Sequence, residues 1–238
     1  LYLRHCYIPA PFSIYKGIHK LLPGTYVQLN LHSDVELPTL THKAYWSMEE
    51  VAKMGAAYPF QGSDAEAISA LDKQLRDSIR LQMLADVPLG TFLSGGVDSS
   101  TIVALMQAQS DRPIKTFSIG FEEHSFNEAG YAKDVAKHLG TDHTELFVTS
   151  SEAMEVIPLL GKMYDEPFAD SSQIPSYLVS KLAKQQVKVS LSGDAADEFF
   201  CGYNRYVLAE NWRAIERVPL RLRMIACQVF NLINPKVR

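Results

Sequence analysis

Pro88-Leu-Gly-Thr-Phe-Leu-Ser-Gly-Gly-Val-Asp-Ser-Ser100 is the stretch that decides how this chain is read. Leu89, Phe92 and Leu93 are the apolar residues of a short buried strand, Ser94-Gly95-Gly96 is a turn, and Thr101-Ile-Val-Ala-Leu-Met106 begins a helix. Strand, glycine turn and helix N-terminus together make an anion cradle. The glycines let the backbone bend and approach an anion closely, and the first free N–H groups of the helix point at it with the positive end of the helix dipole. The stretch contains no lysine, so a polyphosphate such as that of ATP needs another source of positive charge. A carboxylate beside phosphate repels it unless a hard cation sits between them, which reads Asp98 as a Mg²⁺ ligand. The blander reading is that Asp98 and Ser99 cap the helix.

A second stretch, Val187-Lys-Val-Ser-Leu-Ser-Gly-Asp-Ala-Ala-Asp-Glu198, again runs from an alternating strand into a turn of small residues. Asp194, Asp197 and Glu198 crowd like charges into a few residues, which makes sense where a metal or a reacting group draws on them. Asp197 is then the natural partner of Asp98 for Mg²⁺. A solvated acidic turn capping the next helix is the competing account.

Ser94-Gly-Gly-Val-Asp-Ser-Ser100 resembles the pyrophosphate loop of the N-type ATP pyrophosphatases. Ser192-Gly-Asp-Ala-Ala-Asp-Glu-Phe-Phe-Cys-Gly-Tyr-Asn-Arg-Tyr206 looks like the second signature of the glutamine-hydrolysing asparagine synthetases, and Tyr164-Asp-Glu-Pro-Phe-Ala-Asp-Ser-Ser-Gln-Ile-Pro175 is similar to that family's intervening motif. Tyr7 to Gly24 looks like the end of the family's glutaminase domain. The resemblance implies a chain truncated at both ends, divided into a glutaminase remnant (residues 1–30), a connector (31–63) and the N-terminal part of an ATP-pyrophosphatase synthetase domain (64–238). It implies ATP and Mg²⁺ as cofactors. Leu93, Ser94, Gly95, Gly96, Asp98, Ser99, Ser100, Ile119, Ser192 and Gly193 would contact the nucleotide, Asp98 and Asp197 the metal, and Asp194 would be catalytic.

The implied reaction is ATP-dependent amidation of a carboxylate through an acyl adenylate, with aspartate and glutamine-derived ammonia as the expected substrates and AMP and pyrophosphate released. Amidation of another carboxylate, such as a sugar uronate, or a catalytically impaired nucleotide-binding module are the alternatives. The chain departs from the family at Asp194, where Glu is usual in the best-known members, at Ala195-Ala196, which replaces Gly-Gly or Gly-Ser, and at Cys201, where Gly is usual. If either alanine position needs positive φ, strain follows. The family's cysteine nucleophile and a later phosphate-contacting lysine are not in these residues, so the fragment alone is expected to be inactive or nearly so.

Composition agrees with an enzyme domain. The 238 residues are 47% hydrophobic, enough for one sizeable core, and no apolar run approaches the ~18 residues of a membrane helix. Cys6, Cys201 and Cys227 have no zinc or disulfide spacing, which suggests a reducing, cytoplasmic setting and argues against a tRNA-thiolating relative. A net charge of −4 argues against a nucleic-acid partner. Small-molecule substrates, no membrane, and a possible homodimer complete the expected partners.

Leu1 to Asn30 reads as strands and turns of a β-rich domain. Asp64 opens a helix running to Ala85, with Ile68, Leu71, Leu75, Ile79 and Met83 on its packed face. Strands are predicted at 89–93, 114–121, 144–148 and 187–191, and helices at 99–108, 128–139, 152–163 and 172–184. This is a βαβ series, hence a doubly wound, mainly parallel α/β sheet with helices on both faces. Ligands bind beyond the carboxyl ends of such strands, near Leu93, Ile119 and Ser192. Residues 213–238 read as one or two amphipathic scaffold helices. His124, His138 and His143 lack metal spacing and suit surface or capping roles. Glu166-Pro167 and Asp170-Ser171-Ser172 suit substrate binding and helix initiation equally, and Tyr203 to Tyr206 suit a family signature or simple packing.

Overall fold

The computed structural model describes residues 1–30, 39–121 and 128–232. His124, the first part of the connector and the last residues of the C-terminal helical stretch lie outside them. The chain divides into two compact units, Leu1–Leu191 and Ser192–Arg238.

The first unit is built on four strands: β3 (Leu89–Phe92), β4 (Lys115–Phe121), β5 (Asp142–Val148) and β6 (Val189–Leu191). They lie in the order β5-β4-β3-β6, and every neighbouring pair is parallel. From β3 the chain steps outward to β4 and β5, then returns to place β6 on the other side of β3. That reversal is a topological switch point, and it leaves a crevice beyond the carboxyl end of β3. The strands start and stop within two residues of the expected positions, with β5 beginning at Asp142.

Helices cover both faces of the sheet, as the alternating pattern requires. On one face α3 (Asp64–Gln82), α4 (Val97–Gln107) and α5 (Ala129–Leu139) bury Ile79, Val103, Met106, Ala132 and Ala136 around Leu93. On the other face Leu182 and Ala183 of α7 (Gln173–Ala183) pack on Phe117 and Val187. Val156 of α6 (Ser150–Met163) packs with Leu178 of α7 on Val148. The packed face of α3 is shorter than its periodicity predicts: Ile68 and Leu71 are exposed, and only Leu75, Ile79 and Met83 reach the core. Ser63 and Glu66 close a capping box at its start. A second box, Thr149 with Glu152, starts α6 two residues before the expected position.

Ahead of the sheet, Tyr2–His5 form a short helix, α1, and β1 (Thr25–Asn30) and β2 (Thr39–Ala44) pair antiparallel from Thr25↔Ala44 to Asn30↔Thr39. The region read as connector therefore contains a strand, together with helix α2 (Met48–Ala57) capped by the Ser47 hydroxyl. The second unit contains α8 (Ala196–Phe200), α9 (Asn204–Glu216) and α10 (Leu220–Leu232); α10 lies within the stretch expected to be helical, whereas α9 begins nine residues ahead of it. Among the described residues no helix is long and apolar enough to cross a membrane.

Candidate nucleotide site

The loop after β3 takes its shape from glycine and serine. Leu93 is anchored by its N–H to the Phe117 carbonyl (2.9 Å). Gly95 has φ +82°, and a Cβ built on it would stand 2.6 Å from Tyr131 Cβ and 2.7 Å from the Ala132 N, so both the turn and the approach of α5 require glycine there. Ser99 closes the loop on itself: its hydroxyl accepts from the Ser94 N–H (3.1 Å) and lies 2.9 Å from the Ser94 hydroxyl. The Ser94 hydroxyl in turn accepts from the Gly96 N–H (3.3 Å).

Helix α4 starts at Val97, two residues earlier than predicted. Asp98 and Ser99 are therefore in its first turn, and Gly96 is an N-cap whose missing side chain caps nothing. The Ser100 N–H is already spent on the Gly96 carbonyl (3.0 Å), so the first-turn N–H groups ahead of it are the ones a helix start leaves free. The Ser100 hydroxyl is buried with no hydrogen-bond partner among the described residues, a costly state for a polar atom unless a ligand or water meets it.

The loop opens on a cleft of about 320 Å³ at the carboxyl ends of β3 and β4. Leu93, Ser94 and Ile119, all expected to contact nucleotide, line it together. So do residues the sequence reading missed: Ser118, Phe121, Glu128, and Pro175, Ser176 and Val179 of α7. The α7 contribution had a partial signal in the motif ending at Pro175; nothing in the sequence marks Glu128.

His143 is corrected here from a surface or capping residue to a half-buried one. Its Nδ1 lies 2.8 Å from the Thr116 hydroxyl, and its Nε2 lies 3.3 Å from the Ser118 hydroxyl and 3.6 Å from Glu145 Oε1. Burial pushes its pKa below the ordinary value, against the opposing pull of Glu145. His138 is exposed in the last turn of α5, in keeping with its expected role.

In the second unit, the Ser192 hydroxyl donates to Asp194 Oδ2 (2.9 Å). Ala195 has φ +74° and Cys201 φ +58°, so two of the departures from the family pattern fall on left-handed backbone, while Ala196 is helical. Gly202 cannot be replaced without displacing Asp197, whose Oδ1 occupies the space of a Cβ there. Tyr203 donates to Glu198 Oε1 (2.8 Å), which raises the phenol's pKa, and the Arg205 guanidinium lies 4.0 Å from the Tyr203 ring centre.

Asp98 belongs to the first unit and Asp194, Asp197 and Glu198 to the second. Among the described residues, no cluster of three or more His, Cys, Asp or Glu is placed to hold a metal. Mg²⁺ commonly takes only one or two carboxylates and fills its shell with phosphates and water, so two aspartates are a donor set of the right kind.

A parallel α/β sheet with a glycine turn, a bare helix start and a cleft at its switch point defines a nucleotide-binding class of domain. The particular family follows from comparison: the sequence profile of the family described as Asparagine synthase matches residues 70–237, and the chain belongs to that family. It is 34% identical over 229 residues to asparagine synthetase (glutamine-hydrolyzing) 1 of Bacillus subtilis strain 168, covering 96% of this chain and 34% of that protein. It is 35% identical over 230 residues to a putative asparagine synthetase (glutamine-hydrolyzing) 2 of Methanocaldococcus jannaschii, covering 96% of this chain and 42% of that one. The chain thus spans well under half the length of these relatives. Among solved structures it is similar to an NH3-dependent NAD synthetase of Campylobacter jejuni, with a TM-score of 0.41 and 13% identity over 57% of this chain and 60% of that one.

Proposed function

We propose that the chain is the nucleotide-activating part of an enzyme that converts a carboxylate to an amide, aspartate to asparagine, through an acyl adenylate, using ammonia released from glutamine elsewhere in the full protein. The observation that carries this reading is the bare first turn of α4, opening beside a cleft at the sheet's switch point. Charge grows on pyrophosphate as the carboxylate attacks the α-phosphorus. Preorganised N–H groups at Val97, Asp98 and Ser99 would stabilise that charge where it develops, without lysine. Asp98 and Asp197 would hold Mg²⁺, which when bound supplies the cationic charge that lets carboxylates lie beside phosphate. The cleft walls formed by Leu93, Ile119 and Val179 suit an adenosine moiety.

Ammonia attacking the adenylate must lose a proton, and Asp194 is the group assigned to take it. The Ser192 hydroxyl would hold the shorter aspartate arm in place. Ala195 and Cys201 both take left-handed backbone, the conformation that glycine adopts at least cost.

The test needs the full-length protein supplied with ammonia. Asp98→Asn should lower ATP–pyrophosphate exchange by ~10²-fold or more, because a transition-state stabiliser is lost. Asp194→Asn should leave ATP binding nearly intact while amide product falls ~10²–10⁴-fold. Unchanged exchange in the first variant would remove the metal role, and wild-type amide rates in the second would remove the proton-acceptor role. Profiling carboxylate acceptors identifies the substrate.

A further inference from the structure

We infer that Glu166 is a positioning residue that ties the N-terminal segment Cys6–Lys20 to the wall of the nucleotide cleft. The inference rests on the nucleotide-activating reading above and adds a route by which that segment acts on the site. Glu166 was equally open to a substrate-binding role, but both its carboxylate oxygens are engaged. Oε1 pairs with the Lys20 ammonium, and Oε2 accepts from the Ile14 N–H (3.2 Å). The carboxylate is 17% exposed, so the pair is screened less than an ordinary surface ion pair.

Two neighbouring contacts repeat the connection. The Tyr15 hydroxyl donates to the Asp165 carbonyl (3.0 Å), and the Ala169 N–H donates to the Cys6 carbonyl (2.7 Å). Lys20 also donates to the Ile8 carbonyl, so one ammonium gathers the segment and the motif together.

From Glu166 the chain runs through Pro167 into a hydrogen-bonded turn that leads to the cleft. The Gln173 amide donates to the carbonyls of Phe168 (2.9 Å) and Asp170 (2.7 Å), and Asp170 Oδ1 accepts from the Ser172 N–H (2.8 Å). Those bonds hold the loop against the first turn of α7, whose Pro175 and Ser176 form one wall of the cleft. A displacement of Cys6–Lys20 is therefore passed to the wall through Glu166. A flexible loop would absorb it; this one is fixed at both ends.

The experiment uses the full-length protein with three variants: Glu166→Gln, Lys20→Met, and the charge-swapped pair Lys20→Glu with Glu166→Lys. Each single variant is expected to raise the KM for ATP several-fold with a smaller change in kcat, and the swapped pair to recover part of the loss. A KM for ATP that stays unchanged in both single variants overturns the inference. So does a rise confined to the KM of the carboxylate substrate, which would make Glu166 a substrate ligand. Amide hydrogen exchange gives a readout that does not depend on adenylation: Glu166→Gln should speed exchange at Ala169 and in the first turn of α7. Loss of ATP–pyrophosphate exchange in the wild type would defeat the proposed function and leave this readout standing, whereas unchanged α7 protection would defeat the coupling alone.

Discussion

Gly95 shows how much one residue can decide. Alanine there meets two independent penalties: a left-handed backbone that costs a residue with a Cβ roughly 1–2 kcal/mol, and overlap with the backbone of α5. Gly95→Ala should therefore lower the melting temperature and weaken nucleotide binding together, measurable by thermal denaturation with and without ATP. The converse holds in the second unit. Ala195→Gly and Cys201→Gly each relieve left-handed strain of about 1 kcal/mol, which at this chain length corresponds to a rise of about 2–4 °C in melting temperature. Unchanged melting in both would mean that the surrounding loop, and not the residue's own preference, sets the conformation. The glycine turn was legible because glycine pairs announce unusual backbone. The Ser94–Ser99 hydroxyl pair was not, since serine spacing in a loop carries no periodic signal and only the closed geometry reveals the partners.

At the scale of elements, capping boxes set two helix starts, and neither box was read from the sequence. Ser63 with Glu66 fixes α3 at Asp64, the start expected from the apolar periodicity, whereas the Thr149 and Glu152 pair starts α6 two residues ahead of the expected position. Thr149→Ala should cost about 1 kcal/mol through loss of that cap, checked by chemical denaturation. Helix α4 came early for the opposite reason: Gly96 offers no capping side chain, so no residue type marked the start. His143 was misread because its burial comes from pairing between β4 and β5, which a single stretch of sequence does not display. Since burial lowers its pKa in the folded chain, the unfolded chain takes up the proton first on acidification. The stability tied to neutral His143 is complete above its ordinary pKa of about 6.5, and is lost as pH falls from there toward the lower folded value. Glu145 and Lys133 face the same ring and pull in opposite directions. His143→Gln should flatten the fall in denaturation free energy as the pH drops below about 6.5; an unaltered slope would show that other groups govern it.

The whole molecule was legible in its sheet. Alternating apolar strands and amphipathic helices foretold a parallel sheet covered on both faces, because each crossover must bury its stripe against the strands. β1 lies in a stretch read as β-rich, but β2 gave less warning: Thr39, Thr41 and Lys43 lie on one side of its pleat and only Leu40 and Ala44 are apolar on the other, a weak alternation inside a region read as connector. The strand order also has a consequence in time. Leu89 of β3 pairs with Val189 of β6, about 100 residues further along the chain. At a synthesis rate of ~5–20 residues per second, the β3 edge that β6 will cover stays open for roughly 5–20 seconds on the ribosome. The strand that carries the glycine turn is thus the first of the four sheet strands to be made and the last to be closed in, and a nascent chain halted before Val189 leaves that edge without its partner.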